Sequence, residues 1–307
     1  MIITFLSTAL CIFLLVALIM LLHKIWWTPI RIQHIMASQG IKGPAYRFIH
    51  GNTKEIIQMR EESISNAMDF SSHDVFQRIM PHIHAWKHLY GKNYLIWHGP
   101  QAQLVVTELE LIKEILNDRD GIYIKGKVDV FSKKLLGDGI VLSEGKRWSK
   151  LRKIANHAFY AESLKMSMIL NETLRLYAPF TNLMRRVERE VRLGRLIIPA
   201  NTELNIPFPA LHHDPEIWGQ DVHLFKPERF ADGLAKATNN NITGFIPFGF
   251  GPRMCVGLNF AVNEAKIALS MILQRYKFTL SANYVHDPIQ INIVRPRKGV
   301  QIVLSKL

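Results

Sequence analysis

The sequence predicts a mainly α-helical protein with small β-sheets, tied to a membrane by its first helix. Three observations predict this: an uncharged apolar run from Met1 to Leu22, apolar residues at helical spacing in the longer segments, and a few short runs bounded by glycine and proline. The first run is long enough to span a bilayer. A cleaved signal peptide would want a basic start, a shorter apolar region and a small-residue cleavage site, whereas here the basic residues follow, so an uncleaved anchor is preferred. His23, Lys24, Trp26, Trp27 and Arg31 come next, and positive charge with interfacial tryptophan places the remaining chain in the cytosol.

After this anchor, residues 1–27, Pro29 and Gly43-Pro44 punctuate a neck over 28–52, and the polar stretch from Asn52 to Asn66 continues as a stiff lead into the globular body. The body divides into 53–165 and 166–307. Tyr94 to Trp97 and Gln103 to Thr107, separated by Gly99-Pro100, predict a hairpin. Glu108 to Asn117, Ser143 to Phe159 and Met166 to Tyr177 predict helices, the last stopped by Pro179. Leu196 to Pro199 and Glu203 to Pro207 predict short strands. Leu258 to Tyr276 predicts a long helix with Val262, Ala265, Leu269, Ile272 and Leu273 on a buried side, and the tail alternates into strands at Ile289 to Val294 and Val300 to Leu304.

With 307 residues, 48% of them hydrophobic, the chain can bury a core and is not compositionally disordered. Its net charge of +13 favours acidic partners, but no nucleic-acid-binding module accompanies the basic residues. Cys11 lies in the apolar run and Cys255 in a glycine-rich loop, which excludes a disulfide framework.

The chemistry concentrates in Phe248-Gly249-Phe250-Gly251-Pro252-Arg253-Met254-Cys255-Val256-Gly257, where glycines and a proline shape a tight loop delivering a cysteine to a helix start. A helix N-terminus and a neighbouring arginine favour the thiolate that a soft, electron-donating iron ligand must be. Read alone, a cysteine beside glycine is usually a small buried residue. The loop lacks a Gly-Lys-Ser/Thr or dinucleotide fingerprint, Cys-x-x-Cys-His is absent, and no metal-spaced histidines accompany the cysteine to suggest zinc.

This loop resembles the Phe-x-x-Gly-x-Arg-x-Cys-x-Gly haem loop of cytochrome P450 monooxygenases at every defined position. The resemblance implies a P450 fold with haem b, Cys255 as its iron ligand, Arg253 on a propionate, Phe248 beside the sulfur, and Gly257 closing the motif. Trp148-Ser149-Lys150-Leu151-Arg152 resembles the family's Trp-x-x-x-Arg segment, implying propionate contacts for Trp148 and Arg152. Glu172-Thr173-Leu174-Arg175 and Pro227-Glu228-Arg229-Phe230 resemble its Glu-x-x-Arg and Pro-Glu-Arg-Phe segments, implying a buried network of Glu172, Arg175 and Arg229. Arg185 or Arg186 falls where the family often supplies another propionate contact. His212, His213 and His223 read as surface or structural histidines. Gln39 to Pro44 and Tyr46 to Asn52 look like the neck of the plant P450 clan acting on hormones and terpenoids, which includes secologanin-synthase-like enzymes.

The sequence departs from the family between Arg152 and Glu172, only twenty residues apart where the family has a long helical middle. No Ala/Gly-Gly-x-Asp/Glu-Thr segment occurs, so the distal acid and alcohol have no candidates and no catalytic residue is identified. The junction falls near Lys165-Met166. Two readings follow. One is a monooxygenase taking O2 and electrons from NADPH through cytochrome P450 reductase to hydroxylate an apolar small molecule at the endoplasmic-reticulum membrane. The other, preferred for this polypeptide, is a non-catalytic fragment with an incomplete core.

Overall fold

The computed structural model describes residues 2–65, 68, 73–126, 133–134, 139, 141–156 and 165–307. The anchor is one rod: α1 (Ile2–Leu22), a π-helical turn at His23–Trp27, and α2 (Thr28–Ser38). Within it, Ala9–Ser38 is long and apolar enough to cross a membrane. The first part of the expected neck is therefore helix: Pro29 cannot donate to the turn before it, and the Ile25 carbonyl four residues earlier accepts the Tyr46 hydroxyl instead. Ile32 and Met36 on α2 are buried in the main core, and Gln39 Nε2 donates to the Ile197 carbonyl at 2.9 Å, so the rod is fastened to the body.

Asn52 to Asn66, expected as part of a stiff lead, instead contains α3 (Thr53–Ser65), which buries Ile56 against α4 (Val75–Ile79) and α5 (Pro81–Tyr90). The hairpin forms as β1 (Asn93–His98) and β2 (Gln101–Val106), paired antiparallel with Leu95 opposite Leu104. Its period of two splits the residues between cores: Leu95, Trp97, Leu104 and Val106 join the main cluster, while Tyr94, Ile96 and Val105 join that of α3–α5.

Next come α6 (Leu109–Leu116), β3 (Tyr123–Lys125), α7 (Gly145–Asn156) and α8 (Lys165–Leu176). The described part of α7 runs to Asn156, and the rest of the helix expected as far as Phe159 lies outside the described residues. Strands β4 (Asn182–Val187), β5 (Val191–Leu193), β6 (Leu196–Ile198) and β7 (Glu203–Pro207) follow. The five-stranded sheet has the order β1-β2-β7-β4-β3. All its neighbours are antiparallel except β2 and β7, which run parallel with Leu104 beside Leu204. The two halves of the chain thus share one sheet.

Short helices α9 (Phe208–His212), α10 (Pro215–Trp218) and α11 (Leu234–Ala237) lead through the glycine loop into α12 (Leu258–Leu273). Strands β8 (Tyr276–Leu280), β9 (Pro288–Ile291), β10 (Ile293–Pro296) and β11 (Ile302–Lys306) close the chain. The α12 helix stops before Tyr276, which opens β8. Its expected buried side does not hold throughout: Ile272 and Leu273 are exposed, Ile267 is 61% exposed, and the polar Lys266 is buried. Phe278, Leu280, Ile302 and Leu304, which share one face of the β8–β11 pair, are exposed as well. The helix is amphipathic as its spacing predicts, but among the described residues no layer lies over this side.

Candidate functional site

The glycine loop seats on the end of α6. Gly251, at φ +73°, lies so close to α6 that a Cβ there would stand 2.2 Å from the Leu116 carbonyl oxygen, a position only glycine can occupy. The Cys255 N–H donates to the Phe248 carbonyl at 2.8 Å, closing the loop. The cysteine then sits exposed just before α12. Gly257 has φ −88° at the helix N-cap, and a Cβ added there would meet nothing nearer than the Cys255 sulfur at 3.9 Å. Neither backbone nor packing within the chain requires glycine at that position, so the sulfur keeps a bare neighbour.

Helix α7 brings its motif residues to this loop. Arg152 Nη1 donates to the Met254 carbonyl, next to the cysteine. One turn away, the Arg253 guanidinium lies 5.7 Å over the Trp148 ring while its Nη1 donates to Glu144 Oε1 at 2.8 Å. The same Glu144 oxygen accepts the Lys125 N–H at 2.8 Å, and Lys125 Nζ donates to the Ser143 carbonyl at 2.8 Å. Lys125 is the cross-strand partner of Arg185, which is buried. Arg186 points elsewhere, 3.9 Å from Glu188.

Lys125, Arg185 and Arg253 therefore gather around the Glu144 carboxylate, with Asp118 also acting on Arg185. Burial, then the neighbouring Arg253 and Arg185, push Lys125 down to about 8 despite Glu144. Burial and Arg253 likewise push Arg185 down to about 10. Burial comes first in both shifts and repulsion between the cations adds to it, so a further carboxylate beside them would favour their charged forms. Sequence reasoning found Trp148, Arg152 and Arg253 and missed Glu144 and Lys125. Glu144 had a weak cue, one helical turn before Trp148; Lys125, in a three-residue strand, had none.

Behind the loop lies the charge network. Arg175 Nε and Nη2 donate to the two oxygens of Glu172 at 2.8 and 2.9 Å, with both side chains fully buried. Arg229 Nε reaches Glu172 Oε1 at 3.4 Å, and its Nη1 donates to Asp221 Oδ1 at 2.7 Å. Lys226 and Arg229 hold the Asp221 carboxyl down to about 2. Arg175 Nη1 donates to the His212 carbonyl at 2.9 Å, and His212 Nε2 accepts the Ile246 N–H at 3.1 Å. His212 is thus a structural link between the network and the base of the loop.

The family model for cytochrome P450 matches this chain in two blocks, residues 66–169 and 165–304. The chain is 34% identical to cytochrome P450 CYP749A22 of Panax ginseng over 99% of its own length and 97% of that protein's. That alignment runs over 508 positions while the chain has 307 residues, leaving many positions of the relative opposite an internal gap. It is 35% identical to an 11-oxo-beta-amyrin 30-oxidase of Medicago truncatula over 85% of the chain and 49% of that protein. It is 42% identical to a 7-deoxyloganic acid hydroxylase of Catharanthus roseus over 64% of the chain and 39% of that protein. The chain belongs to the cytochrome P450 family, in its plant branch, and is internally short of its relatives.

Haem is the cofactor this family implies, and the residues present fit one face of it. A cysteine stands clear of its own chain with a glycine beside the sulfur, and a carboxylate-poor cationic cluster adjoins it, suited to the two propionates. A cavity of about 670 Å³ lies elsewhere, lined by Glu108, Glu114, Asn117 and Arg195 among others.

Proposed function

We propose that this chain holds haem b through Cys255 and the Trp148/Arg152/Arg253 cluster, as a haem-thiolate protein of P450 monooxygenase type. The observation that carries this reading is the convergence of α7, β3 and β4 on the cysteine loop, which sets cations beside a sulfur donor. When bound, the group would supply O2-activating redox chemistry, which a thiolate ligand favours by donating electron density. The chain's own part is to present the sulfur, orient the propionates with Arg253, Trp148 and Arg152, and hold the loop rigid through Gly251 and the Glu172–Arg175 pair. The family reaction would be O2- and NADPH-dependent hydroxylation of an apolar, terpenoid-like or hormone-like molecule, with electrons from cytochrome P450 reductase. The net charge of +13 suits docking of an acidic reductase. The anchor would hold both at the endoplasmic-reticulum membrane, with the body in the cytosol.

A second reading, a non-catalytic fragment, is favoured by the exposed apolar side of α12 with β8 and β11. The deciding measurement is a reduced-plus-CO difference spectrum of the purified chain. A thiolate-type Soret band that disappears in Cys255→Ala supports haem ligation, and no band in the parent chain sinks it. If the band is present, NADPH consumption with reductase that yields only peroxide identifies the fragment; oxygenated product identifies the enzyme.

A further inference from the structure

Among the histidines outside the haem site whose ring nitrogens are buried without a hydrogen bond, two, His213 and His223, are neighbours. His213, on the residue after α9, is 5% exposed. Its Nε2 lies 3.2 Å from the Leu176 carbonyl, so that nitrogen carries the proton and Nδ1 is the lone pair. His213 Nδ1 and His223 Nδ1 are both buried atoms with no hydrogen-bond partner. The rings lie side by side with centroids 5.8 Å apart. Facing them is Asp74, at the start of α4, whose Oδ1 is 3.7 Å from His223 Nδ1. One donor atom from each of Asp74, His213 and His223 lies within 4.8 Å of the other two.

We propose that Asp74, His213 and His223 form a binding site for a divalent transition ion of the zinc class. Two imidazoles and one carboxylate are the donor set such ions prefer, and three protein ligands leave a position for water. Ligand atoms around one such ion stand about 3 to 4 Å apart, given bonds of about 2.0–2.2 Å. Closing a pair of donors from as far as 4.8 Å onto an ion asks for about 1–2 Å of approach. His223 and Asp74 are the partly exposed members, with side-chain exposures of 43% and 32%, and supply that freedom; His213 is fixed. The Leu176 carbonyl on His213 Nε2 is the kind of outer contact that orients a ligating histidine. The Arg175 guanidinium, which acts on His213, is already matched by the Glu172 carboxylate and need not repel the ion.

The site's position gives it a structural role. Asp74 belongs to the first matched block of the chain, and His213 and His223 to the second. An ion there clips α4 to the segment around α9 and α10, across the junction where the chain is short of its relatives. Bound metal then stabilises the folded state by mass action.

The test uses the full chain in detergent, stripped by chelator and titrated with Co2+ and then Zn2+ alone. We expect one Co2+ per chain with the visible bands of nitrogen and oxygen ligation, no thiolate charge-transfer band, and a rise in Tm with Zn2+. His223→Gln and Asp74→Asn should each weaken binding at least about tenfold. Both residues are partly exposed, and far-UV circular dichroism checks that the variants fold. Absence of stoichiometric binding by the stripped parent overturns the proposal. So does binding unchanged in both variants, or a thiolate band that vanishes with Cys255→Ser, which would place the ion on the haem loop.

Discussion

Arg175 spends both Nε and Nη2 on the carboxylate of Glu172, three residues earlier on the same buried helix, and turns Nη1 to the His212 carbonyl. The pair is wholly screened from water, so removing the Glu172 charge leaves the Arg175 guanidinium buried with only carbonyls to accept from it among the described residues. Glu172→Gln is expected to lower unfolding free energy by about 3–5 kcal/mol, measured by urea denaturation. A loss under about 1 kcal/mol would mean that water reaches the pair.

Glu144 competes for the cation that the haem site needs. Glu144→Gln frees Arg253 from the carboxylate that it shares with the Lys125 backbone N–H and should tighten binding of haemin, a dicarboxylate, by about tenfold, the size of one charge-assisted contact. The same change should lower the stability of the haem-free chain, because the gathered cations lose their anion. Absorbance titration with haemin reads the first effect; weaker binding would make Glu144 a support for Arg253 rather than a competitor.

Gly251→Ala forces a methyl against the Leu116 carbonyl and strains a positive φ. The loop must lift from α6, with an expected loss of about 1–3 kcal/mol. In the CO difference spectrum the band should shrink or shift even though Cys255 is intact. Gly257→Ala meets no such obstacle in the haem-free chain, so its stability should stay near that of the parent.

His82 on α5 is buried, and desolvation first, with Arg60 and His98 adding repulsion, holds it down to about 3. The unfolded chain takes up a proton at that histidine near pH 6.5, whereas the folded chain does not. Between about pH 6.5 and 3 the unfolded state therefore binds more protons, and stability falls as the pH is lowered. The contribution is on the order of a few kcal/mol across that window. His82→Gln should flatten the slope of stability against pH; an unchanged slope would assign the acid sensitivity to other histidines.

Elements governed by their own spacing were legible in the sequence. Tyr94 to Thr107 reads as a hairpin because alternation and Gly99-Pro100 are local properties, and the helix around Glu172 reads from its apolar period and Pro179. Trp148 and Arg152 do reach the loop that carries Arg253 and Met254, since each sits on a helix whose register was readable. What depends on a neighbour was not legible. The burial expected for Ile272 and Leu273 assumed a covering layer, and the polar run of α3 hides a helix that one buried residue, Ile56, docks. Glu144, Lys125 and the Asp74–His213–His223 group come together only through tertiary folding, with no pattern along the chain to announce them.

The parallel pairing of β2 with β7 joins Leu104 to Leu204, residues from the two matched blocks. Bringing such distant strands together is an entropic search, whose toll grows with the logarithm of the intervening chain. In a relative carrying the extra internal segment that search spans a roughly threefold longer loop, a difference on the order of 1 kcal/mol in closure free energy. The short chain is therefore favoured at the step that makes its sheet, so its central scaffold should assemble sooner than that of a full-length relative.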